Sequence, residues 1–297
     1  MHVLVAGGTG FIGTALCQSL VGRGDHVLVL TRDAGRRAPP DGVTLLPWDT
    51  SAWQRTLEEC DAVVNLAGEP IVGKRWSSRQ KLLIRESRLE STRRLVSAMA
   101  VLAKRPAVLV NASAVGWYGA RGDEPLSEAD DPGRGFLAEL CRAWETEAQR
   151  AAALGVRVVC LRIGLVLAAG GGVLAKMVPP FRSWLGGPLG SGRQWMSWVH
   201  REDLIGLVQW AVAHREVSGA VNATAPNAVT MREFCATLGR IMHRPSWAPV
   251  PTAALRVLLG EMADMLVTGQ RVVPQQALQQ GYAFQYSHLE PALRAWL

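Results

Sequence analysis

The stretch GGTGFIG, residues 7–13, decides the fold of this chain. It directly follows the apolar run HVLVA (2–6) and opens a helical pattern, and its glycines satisfy the spacing G-x-G-x-x-G. Glycine here permits a tight turn and a close approach of the backbone to a pyrophosphate, whose oxygens the free N–H groups of the helix then bind. In this strand–turn–helix setting the motif predicts a dinucleotide site. The residues assigned to it are Gly7, Gly8, Thr9, Gly10, Phe11, Ile12 and Gly13.

Short aliphatic and β-branched runs alternate with helical patterns through the first half of the chain, which is typical of βαβ units. We expect helices at 78–103 and 136–154. The expected strands are HVLVA (2–6), HVLVLT (26–31), VTLLP (43–47), AVVNLA (62–67), AVLVNAS (107–113), RVVCLRIG (157–164) and AVNATA (220–225). The pattern predicts an α/β fold with a Rossmann-type doubly wound parallel sheet.

The composition changes at about residue 170, where glycine- and proline-rich turns become frequent. The tail from residue 226 has mostly helical patterns interrupted by prolines. We therefore predict two domains. Residues 1–170, with 199–225 returning to them, form the dinucleotide-binding domain, and residues 171–198 with 226–297 form a smaller, mostly helical C-terminal substrate-binding domain.

The end of the second strand distinguishes between dinucleotides. A chain that binds NAD tends to carry Asp or Glu about 20 residues after the glycines, where it bonds the ribose 2′-hydroxyl. This chain has Thr31 and Arg32 there, and a guanidinium suits a 2′-phosphate because its fork bonds phosphate oxygens. Arg36 and Arg37 are placed to assist from the following loop. The alternative is a solvated arginine beside Asp33; the predicted cofactor is NADP(H).

Later strand ends complete the predicted site, because ligands of such sheets bind at the carboxyl edge. Asp49 follows the third strand and either bonds the adenine amino group or caps the next helix. The other residues assigned to the cofactor are Leu66, Ala67, Gly68 and Glu69 after the fourth strand, Ala112 and Ser113 at the fifth, and Arg162 and Gly164 at the sixth.

Composition argues against several classes of protein. No apolar run approaches the roughly 18 residues of a spanning helix, and the glycine-rich start is unlike a signal peptide, so we expect a cytoplasmic protein. The five scattered cysteines form no C-x-x-C pair and the six histidines no metal-ligand spacing, so no disulfide or metal is predicted. The net charge of +7 rests on 28 Arg and 4 Lys spread along the chain, without the patch of a nucleic-acid binder.

These features resemble the extended short-chain dehydrogenase/reductases, and in particular an atypical, nucleotide-sugar epimerase-like branch of epimerase family proteins. The matching segments are NLAGEPIVGKRW (65–76), FLAELCRAWE (136–145), GGVLAKMVPPFRSWLGGPLGSGRQWMSWVHREDL (171–204), NATAP (222–226), and LLGEMA with GQRVVP in 258–274. The resemblance covers essentially the whole chain, including the branch's C-terminal domain of unknown function. It implies the fold and the cofactor and leaves the reaction open.

The resemblance also shows what this chain lacks. The family moves a proton with a tyrosine whose pKa is lowered by a lysine four residues later, and this sequence has no Y-x-x-x-K. Aligned through Glu145, the two places hold Leu137 and Cys141, or Phe136 and Leu140 one residue earlier. Neither pair is a useful proton donor.

The remaining catalytic candidates lie near the fifth strand. Tyr118 is the best surviving acid, with a residue of the cleft wall as the alternative reading. Lys74 or its neighbour Arg75, in GKRW, is placed to lower the pKa of Tyr118 or to orient a carbonyl. Ser113 stands one residue before Ala114, which occupies the place of the family's assisting Ser or Thr.

The expected substrate also departs from the family. In the family pattern an Arg followed by Asp stands near the substrate, and the Arg clamps a nucleotide diphosphate. Here Met196 and Ser197 occupy these two places, so the clamp is lost unless Arg193 or Arg182 replaces the Arg. The residues flanking these segments include Trp76, Trp117, Trp195 and Trp198, which line either an apolar pocket or the core.

We therefore expect an NADP(H)-dependent oxidoreductase acting on a small, fairly apolar carbonyl or alcohol without the usual Tyr–Lys relay. The alternatives are a non-catalytic NADP(H)-binding redox sensor or scaffold, and a sugar-nucleotide epimerase. The expected partner is a small-molecule substrate, with neither nucleic acid nor membrane, and the family allows a homodimer.

Overall fold

The computed structural model describes residues 1–32, 34 and 40–297. Its strands are β1 (His2–Ala6), β2 (His26–Thr31), β3 (Val43–Pro47), β4 (Ala62–Asn65), β5 (Val108–Ala114), β6 (Pro125–Leu126), β7 (Arg157–Ile163), β8 (Leu165–Leu167), β9 (Trp195–Met196), β10 (Trp198–His200), β11 (Gly219–Ala223), β12 (Val229–Thr230) and β13 (Arg271–Val272). Its α-helices are α1 (Phe11–Gly22), α2 (Ala52–Thr56), α3 (Ser78–Ala100), α4 (Phe136–Gln149), α5 (Leu174–Arg182), α6 (Arg201–Ala213), α7 (Met231–Met242), α8 (Thr252–Leu259), α9 (Met262–Val267), α10 (Gln275–Gln279) and α11 (Leu289–Arg294).

Within the described residues, seven strands form one parallel sheet in the order β11-β7-β5-β4-β1-β2-β3. The chain builds outward from β1 in one direction through β2 and β3, and then in the other through β4, β5, β7 and β11. The strand order therefore reverses between β1 and β4, where sheets of this kind bind ligands at the carboxyl edge. The predicted Rossmann-type doubly wound sheet is confirmed.

Residues of β1 point alternately into two apolar cores, one on each face of the sheet. Val3 and Val5 belong to a core that includes buried residues of α1 and α6. Leu4 and Ala6 belong to a second core that includes buried residues of α2, α3 and α4. Because both faces are covered, the strands read as continuous apolar runs rather than as an alternation of apolar and polar residues.

A third apolar core lies in the C-terminal part of the chain. It gathers residues of α5, α7 and α11 around Phe181, Trp198 and Phe234. Short strand pairs connect this part to the rest: β10 pairs with β8, β12 with β9, and β13 with β6. The β13–β6 pair joins segments almost 150 residues apart, so the C-terminal region is tied directly to the loop after β5. The domain boundaries stay predictions.

The predicted elements differ from the observed ones mainly at their ends. The fourth strand ends at Asn65, two residues early, because the chain turns away from the sheet in NLAG (65–68). The helix expected at 136–154 ends at Gln149 and is followed by a 3-10 helix, Ala152–Leu154. In the described part of the chain, no helix is both long enough and apolar enough to cross a membrane.

Candidate functional site

The glycine-rich turn between β1 and α1 is built so that only glycine fits at its key positions. Gly7 has φ +81°, a conformation that other residues rarely adopt. A Cβ on Gly13 would lie 2.2 Å from the Gly7 carbonyl oxygen. That carbonyl also accepts a hydrogen bond from the Gly10 N–H at 3.0 Å. The helix therefore packs directly against the turn.

The start of α1 suits an anion. Its N-cap residue, Gly10, provides no side-chain cap, and its first turn contains no acidic residue. The first N–H groups of a helix have no partner within the helix, and they carry a partial positive charge. Thr9, Phe11 and Ile12 are half-buried and Gly10 is exposed. The residues present thus fit a pyrophosphate.

The end of β2 carries the residues predicted to choose the dinucleotide. Thr31 is 5% exposed, whereas Arg32 is exposed. Arg32 lies near enough to Glu69 to help lower the pKa of that carboxyl, although the larger effect is the hydrogen bond from Lys74. The ends of β2 and β4 therefore face a common region. Arg36 and Arg37 lie outside the described residues.

Asp49 is exposed in the turn after β3. The N-cap residue of α2 is Ser51, so the reading of Asp49 as a helix cap is wrong. Its role toward adenine stays a prediction. The neighbouring Trp48 lies under Arg94, whose guanidinium carbon is 5.0 Å from the ring centroid and whose Nη2 donates to the Trp48 carbonyl oxygen. A cation and an aromatic ring thus flank this end of the sheet.

The loop after β4 is fixed by a buried polar network. The Asn65 side chain donates to Thr92 Oγ1 at 2.9 Å and to Asn111 Oδ1 at 2.7 Å, and it accepts from the Ala67 N–H at 3.2 Å. Trp144 Nε1 donates to the same Thr92 hydroxyl at 2.9 Å. The backbone of Leu66, Ala67 and Gly68 is therefore held at the switch point of the sheet.

Arg88, on α3, is a site residue that sequence reasoning missed. It is 8% exposed, and its Nη1 donates to the carbonyl oxygens of Glu69 at 2.9 Å and Ile84 at 3.1 Å. Its guanidinium carbon lies 5.2 Å from the centroid of the Trp144 ring. A Cβ on Gly68 would lie 2.9 Å from the same carbon. Arg88 thus lies immediately against the loop that follows β4.

The charge of Arg88 has no carboxylate partner among the described residues: Glu69 pairs with Lys74 and Glu86 with Arg85. Its Nε atom is buried without a hydrogen-bond partner, and burial lowers the pKa of the guanidinium. Buried charges are ordinarily paired. The signal in the sequence is an arginine on the buried stripe of α3, between Ile84 and Thr92 at four-residue spacing.

Ser113 lies in a second buried network, at the end of β5. Its hydroxyl donates to Glu145 Oε1 at 2.6 Å. Arg162 forms two hydrogen bonds with the same carboxylate, from Nε and Nη2, both at 3.0 Å. Arg162 also stacks on Trp117, with its guanidinium carbon 3.9 Å from the ring centroid. Ser113 and Arg162 therefore both donate to the carboxylate of Glu145 inside the protein.

Tyr118 is fully buried. Its hydroxyl lies 2.7 Å from Asn222 Oδ1 and 2.9 Å from the Ser127 carbonyl oxygen, and it accepts from Arg162 Nη1 at 3.0 Å. Burial raises the pKa of Tyr118 to about 12, against the opposing effect of Arg162. This geometry favours a structural role, and catalysis by Tyr118 stays a prediction.

The lysine expected to assist Tyr118 lies elsewhere. Lys74 is exposed and pairs with Glu69, with 3.1 Å between Nζ and Oε1. The cation beside Tyr118 is Arg162 instead. A catalytic role for Lys74 therefore lacks the contact on which it was predicted.

The places of the family's tyrosine and lysine lie against the turn after β5. A Cβ on Gly116 would be 3.1 Å from Leu137 Cβ and 3.8 Å from Cys141 Sγ. Cys141 is 2% exposed, its thiol donates to the Ala114 carbonyl oxygen at 3.6 Å, and burial raises its pKa to about 11. No proton relay exists at these two positions.

Several other predicted residues have packing roles. Gly164 lies beside Ser197, whose carbonyl oxygen would be 2.5 Å from an added Cβ. Trp198 is in the C-terminal core, whereas Trp76 lies edge-on to Phe136 at 5.2 Å between ring centroids. His200 is 1% exposed and stacks on Tyr286 at 3.7 Å. Cofactor contacts of Arg162 and Gly164 stay predictions.

The described residues contain no group of three or more His, Cys, Asp or Glu side chains that could hold a metal ion. The five cysteines are buried and unpaired.

Two family models match the chain. The model of the NAD dependent epimerase/dehydratase family matches residues 3–223, and that of a domain of unknown function, DUF1731, matches residues 250–296. The epimerase family protein SDR39U1 homolog, chloroplastic, of Arabidopsis thaliana is 42% identical over 301 residues, which cover 99% of this chain and 86% of that protein. The epimerase family protein YfhF of Bacillus subtilis (strain 168) is 38% identical over 296 residues, covering 99% and 97%.

Solved structures agree with these matches. The crystal structure of human epimerase family protein SDR39U1 (isoform 2) with NADPH superposes with a TM-score of 0.88 at 35% identity and covers 99% of this chain and 98% of that one. The resemblance seen in the sequence motifs is thereby confirmed over both parts of the chain. This protein belongs to the NAD dependent epimerase/dehydratase family and carries the DUF1731 domain at its C-terminal side.

Proposed function

We propose that this protein binds NADP(H) and transfers a hydride between the cofactor and a small carbonyl or alcohol. The observation that carries the proposal is the glycine turn with an uncapped, acid-free helix start, together with Arg32 at the end of β2. The human relative that superposes over the whole chain was crystallised with NADPH. When bound, the cofactor supplies the hydride donor or acceptor, and the protein supplies position and charge.

The residues divide between the two halves of the cofactor. The α1 N-terminus binds the pyrophosphate through its N–H groups. Arg32 and Asp49 lie on the adenine side of the switch point, where Arg32 binds the 2′-phosphate. Gly68, after β4, and Ser113, near the end of β5, lie on the other side, which receives the nicotinamide half.

Arg88 supplies positive charge on the nicotinamide side. Its guanidinium lies against Gly68 and has an unpaired Nε, with no carboxylate to neutralise it in the described residues. In the family this charge comes from the lysine whose place is here taken by Cys141 or, one residue earlier, Leu140. A cation from α3 thus serves the electrostatic purpose that the usual relay would serve.

The proposed substrate is small and fairly apolar. The half-buried side chains of Trp76, Trp117, Phe136 and Leu137 flank the loops near the ends of β4 and β5. Tyr118, Ser113 and Lys74 remain our catalytic candidates. Because the first two are engaged in internal hydrogen bonds, a proton supplied by water or by the substrate is the simpler route.

Calorimetric titration of the purified protein with NADPH and with NADH tests the cofactor assignment. NADPH should bind about 10- to 100-fold more tightly, as expected for a charged hydrogen bond, and Arg32→Ala should remove most of this difference. Arg23→Ala, an exposed arginine at the other end of α1, is the matched control. Equal affinities before mutation would reject Arg32, and the absence of heat with either cofactor would reject the function.

A second candidate function is a non-catalytic NADP(H)-dependent redox sensor or scaffold. The observation that favours it is the lack of a relay at Leu137 and Cys141, combined with full burial of Tyr118. Turnover of any compound in a broad carbonyl panel with NADPH would exclude it. Protein partners recovered only with one redox state of the cofactor would support it.

A sugar-nucleotide epimerase is the third candidate. The nucleoside-diphosphate sugar epimerase of Corynebacterium glutamicum is 30% identical, and this chain covers 57% of its length. Against this, Met196 and Ser197 are both 3% exposed, and Ser197 bonds backbone groups of the C-terminal segment. Neither residue is free to clamp a diphosphate. A cytoplasmic location and a homodimer stay predictions.

A further inference from the structure

The segment that carries Gln270 is held in one position by contacts on several sides. Ser197 Oγ donates to the Gln270 carbonyl oxygen at 2.8 Å and accepts from the Val272 N–H at 2.9 Å. Val272 itself lies in β13, paired with Leu126. A Cβ on Gly269 would lie 2.1 Å from the carbonyl oxygen of Trp195. The backbone of Gln270 therefore has little freedom to move.

The Gln270 side chain reaches across to the end of β5. Its Nε2 donates to the Val115 carbonyl oxygen at 2.8 Å. Val115 directly follows β5 and Ala114, at the carboxyl edge where ligands of this sheet bind. The amide oxygen Oε1 has no hydrogen-bond partner among the described residues and is not among their buried, unsatisfied atoms. Gln270 thus offers a fixed, open acceptor.

The side chains of β5 provide little polar contact of their own at this point. Ala114 and Val115 have no polar side-chain atom, and the Ser113 hydroxyl is engaged with Glu145. A polar group for the substrate must therefore come from another part of the chain. Among residues 1–32, 34 and 40–297, Gln270 is the one from the C-terminal segment whose side chain bonds this strand end.

We propose that Gln270 is a substrate-positioning and specificity-determining residue, whose amide oxygen accepts a hydrogen bond from the substrate. This inference rests on the proposed function and narrows its substrate class to small carbonyl compounds or alcohols with a second donor group, a hydroxyl or N–H, near the reacting carbon. A site built to hydrogen-bond such a group discriminates against the analogue that lacks it, because the acceptor is then left unpaired. The C-terminal domain thereby acquires a role in recognition.

The test uses the full chain saturated with NADPH and pairs of small aldehydes and ketones with and without a hydroxyl on the adjacent carbon. Binding is read from the fluorescence of the bound NADPH, so no turnover is needed. The wild-type protein should prefer the hydroxylated member of a pair by about tenfold. Gln270→Leu should bind the two members about equally, while its affinity for NADPH stays within about twofold of wild type.

Gln209→Leu is the matched control, because the Gln209 amide bonds Ser19 on α1, away from this strand end. It should keep the preference. The inference is overturned if Gln270→Leu keeps the preference, if it weakens both members equally, as a purely structural role would, or if the NADPH complex binds no member of any pair. If the wild-type protein does not bind NADPH at all, the proposed function itself fails, which the same titration shows first.

Discussion

The guanidinium of Arg88 occupies the space that a side chain on Gly68 would need: a Cβ there would come within 2.9 Å of its central carbon. Gly68 does not have positive φ, so backbone conformation does not require glycine at this place. The requirement comes from the neighbouring arginine. The loop after β4 therefore packs against helix α3 through the guanidinium of Arg88, which has no carboxylate partner among the described residues.

We expect Gly68→Ala to weaken NADPH binding by about tenfold. The added methyl group must displace the Arg88 guanidinium from the loop, and this displacement weakens the charged interaction that we propose between Arg88 and the cofactor. Calorimetry on the folded variant measures the change. Gly22→Ala is the control, because an added Cβ there meets no atom within 4 Å. Unchanged affinity in Gly68→Ala would show that Arg88 is not part of the cofactor site.

Replacement of Tyr118 separates a structural from a catalytic role. Tyr118→Phe should lower the free energy of unfolding by about 1–3 kcal/mol, because Arg162 and Asn222 each lose a partner in the interior. Tyr286→Phe is the matched control, since its hydroxyl forms no hydrogen bond within the described ranges. Denaturant titration gives the stabilities. A variant as stable as wild type that has lost turnover would instead establish Tyr118 as a catalytic residue.

Loss of the buried ion pair between Glu145 and Arg162 should lower the free energy of unfolding strongly. Glu145→Gln leaves the Arg162 charge without its bidentate partner, and we expect a loss of about 3–5 kcal/mol in the free energy of unfolding. The exposed pair of Arg256 and Asp264, at 3.0 Å, is the comparison. There Asp264→Asn should cost less than about 1 kcal/mol. Similar losses in the two variants would contradict the structural role assigned to Glu145.

Stability should fall in mild acid because of His200. Burial lowers its pKa from 6.5 to about 4, so the folded protein favours the neutral ring. The stabilisation that depends on the neutral His200 ring is fully present above pH 6.5. It is lost as the pH falls toward 4, and the free energy of unfolding then decreases by about 3 kcal/mol in total. The side chain caps α6 by accepting from the Glu202 N–H.

His200→Asn isolates this contribution, because asparagine also caps helices but does not titrate. The difference in unfolding free energy between wild type and His200→Asn should shrink or reverse between pH 7 and pH 4.5, as measured by denaturant titration at each pH. Parallel pH profiles for the two proteins would show that His200 does not titrate as described.

The sheet could be predicted because its information is local. Each strand is a short apolar run bounded by polar or glycine residues. The glycine turn at residues 7–13 identifies the preceding strand, β1, as the one that leads into the binding site. The observed strands begin within one residue of those expected. The place of Arg32 at the end of β2 could also be predicted, since it depends only on the number of residues between the glycine turn and Arg32.

The inner part of the site could not be predicted because it depends on contacts between distant segments. Arg88 is an ordinary arginine in a charged helix until the loop at Gly68 is placed against it. Tyr118 looked available for catalysis because nothing in its own segment shows that Asn222, 104 residues later, bonds its hydroxyl. Gln270 lies in the family segment GQRVVP, but sequence reasoning assigned it no role in the site, since its partner lies 155 residues away.

The pairing of Arg271–Val272 with Pro125–Leu126 has a consequence for synthesis of the protein. Val272 packs with Tyr118 and Leu126 in one small apolar cluster, so on the ribosome this patch stays uncovered until more than 270 residues have emerged. A nascent chain that stalls before then would expose an apolar surface to which chaperones bind. This apolar cluster is therefore complete only after the C-terminal segment has been synthesised.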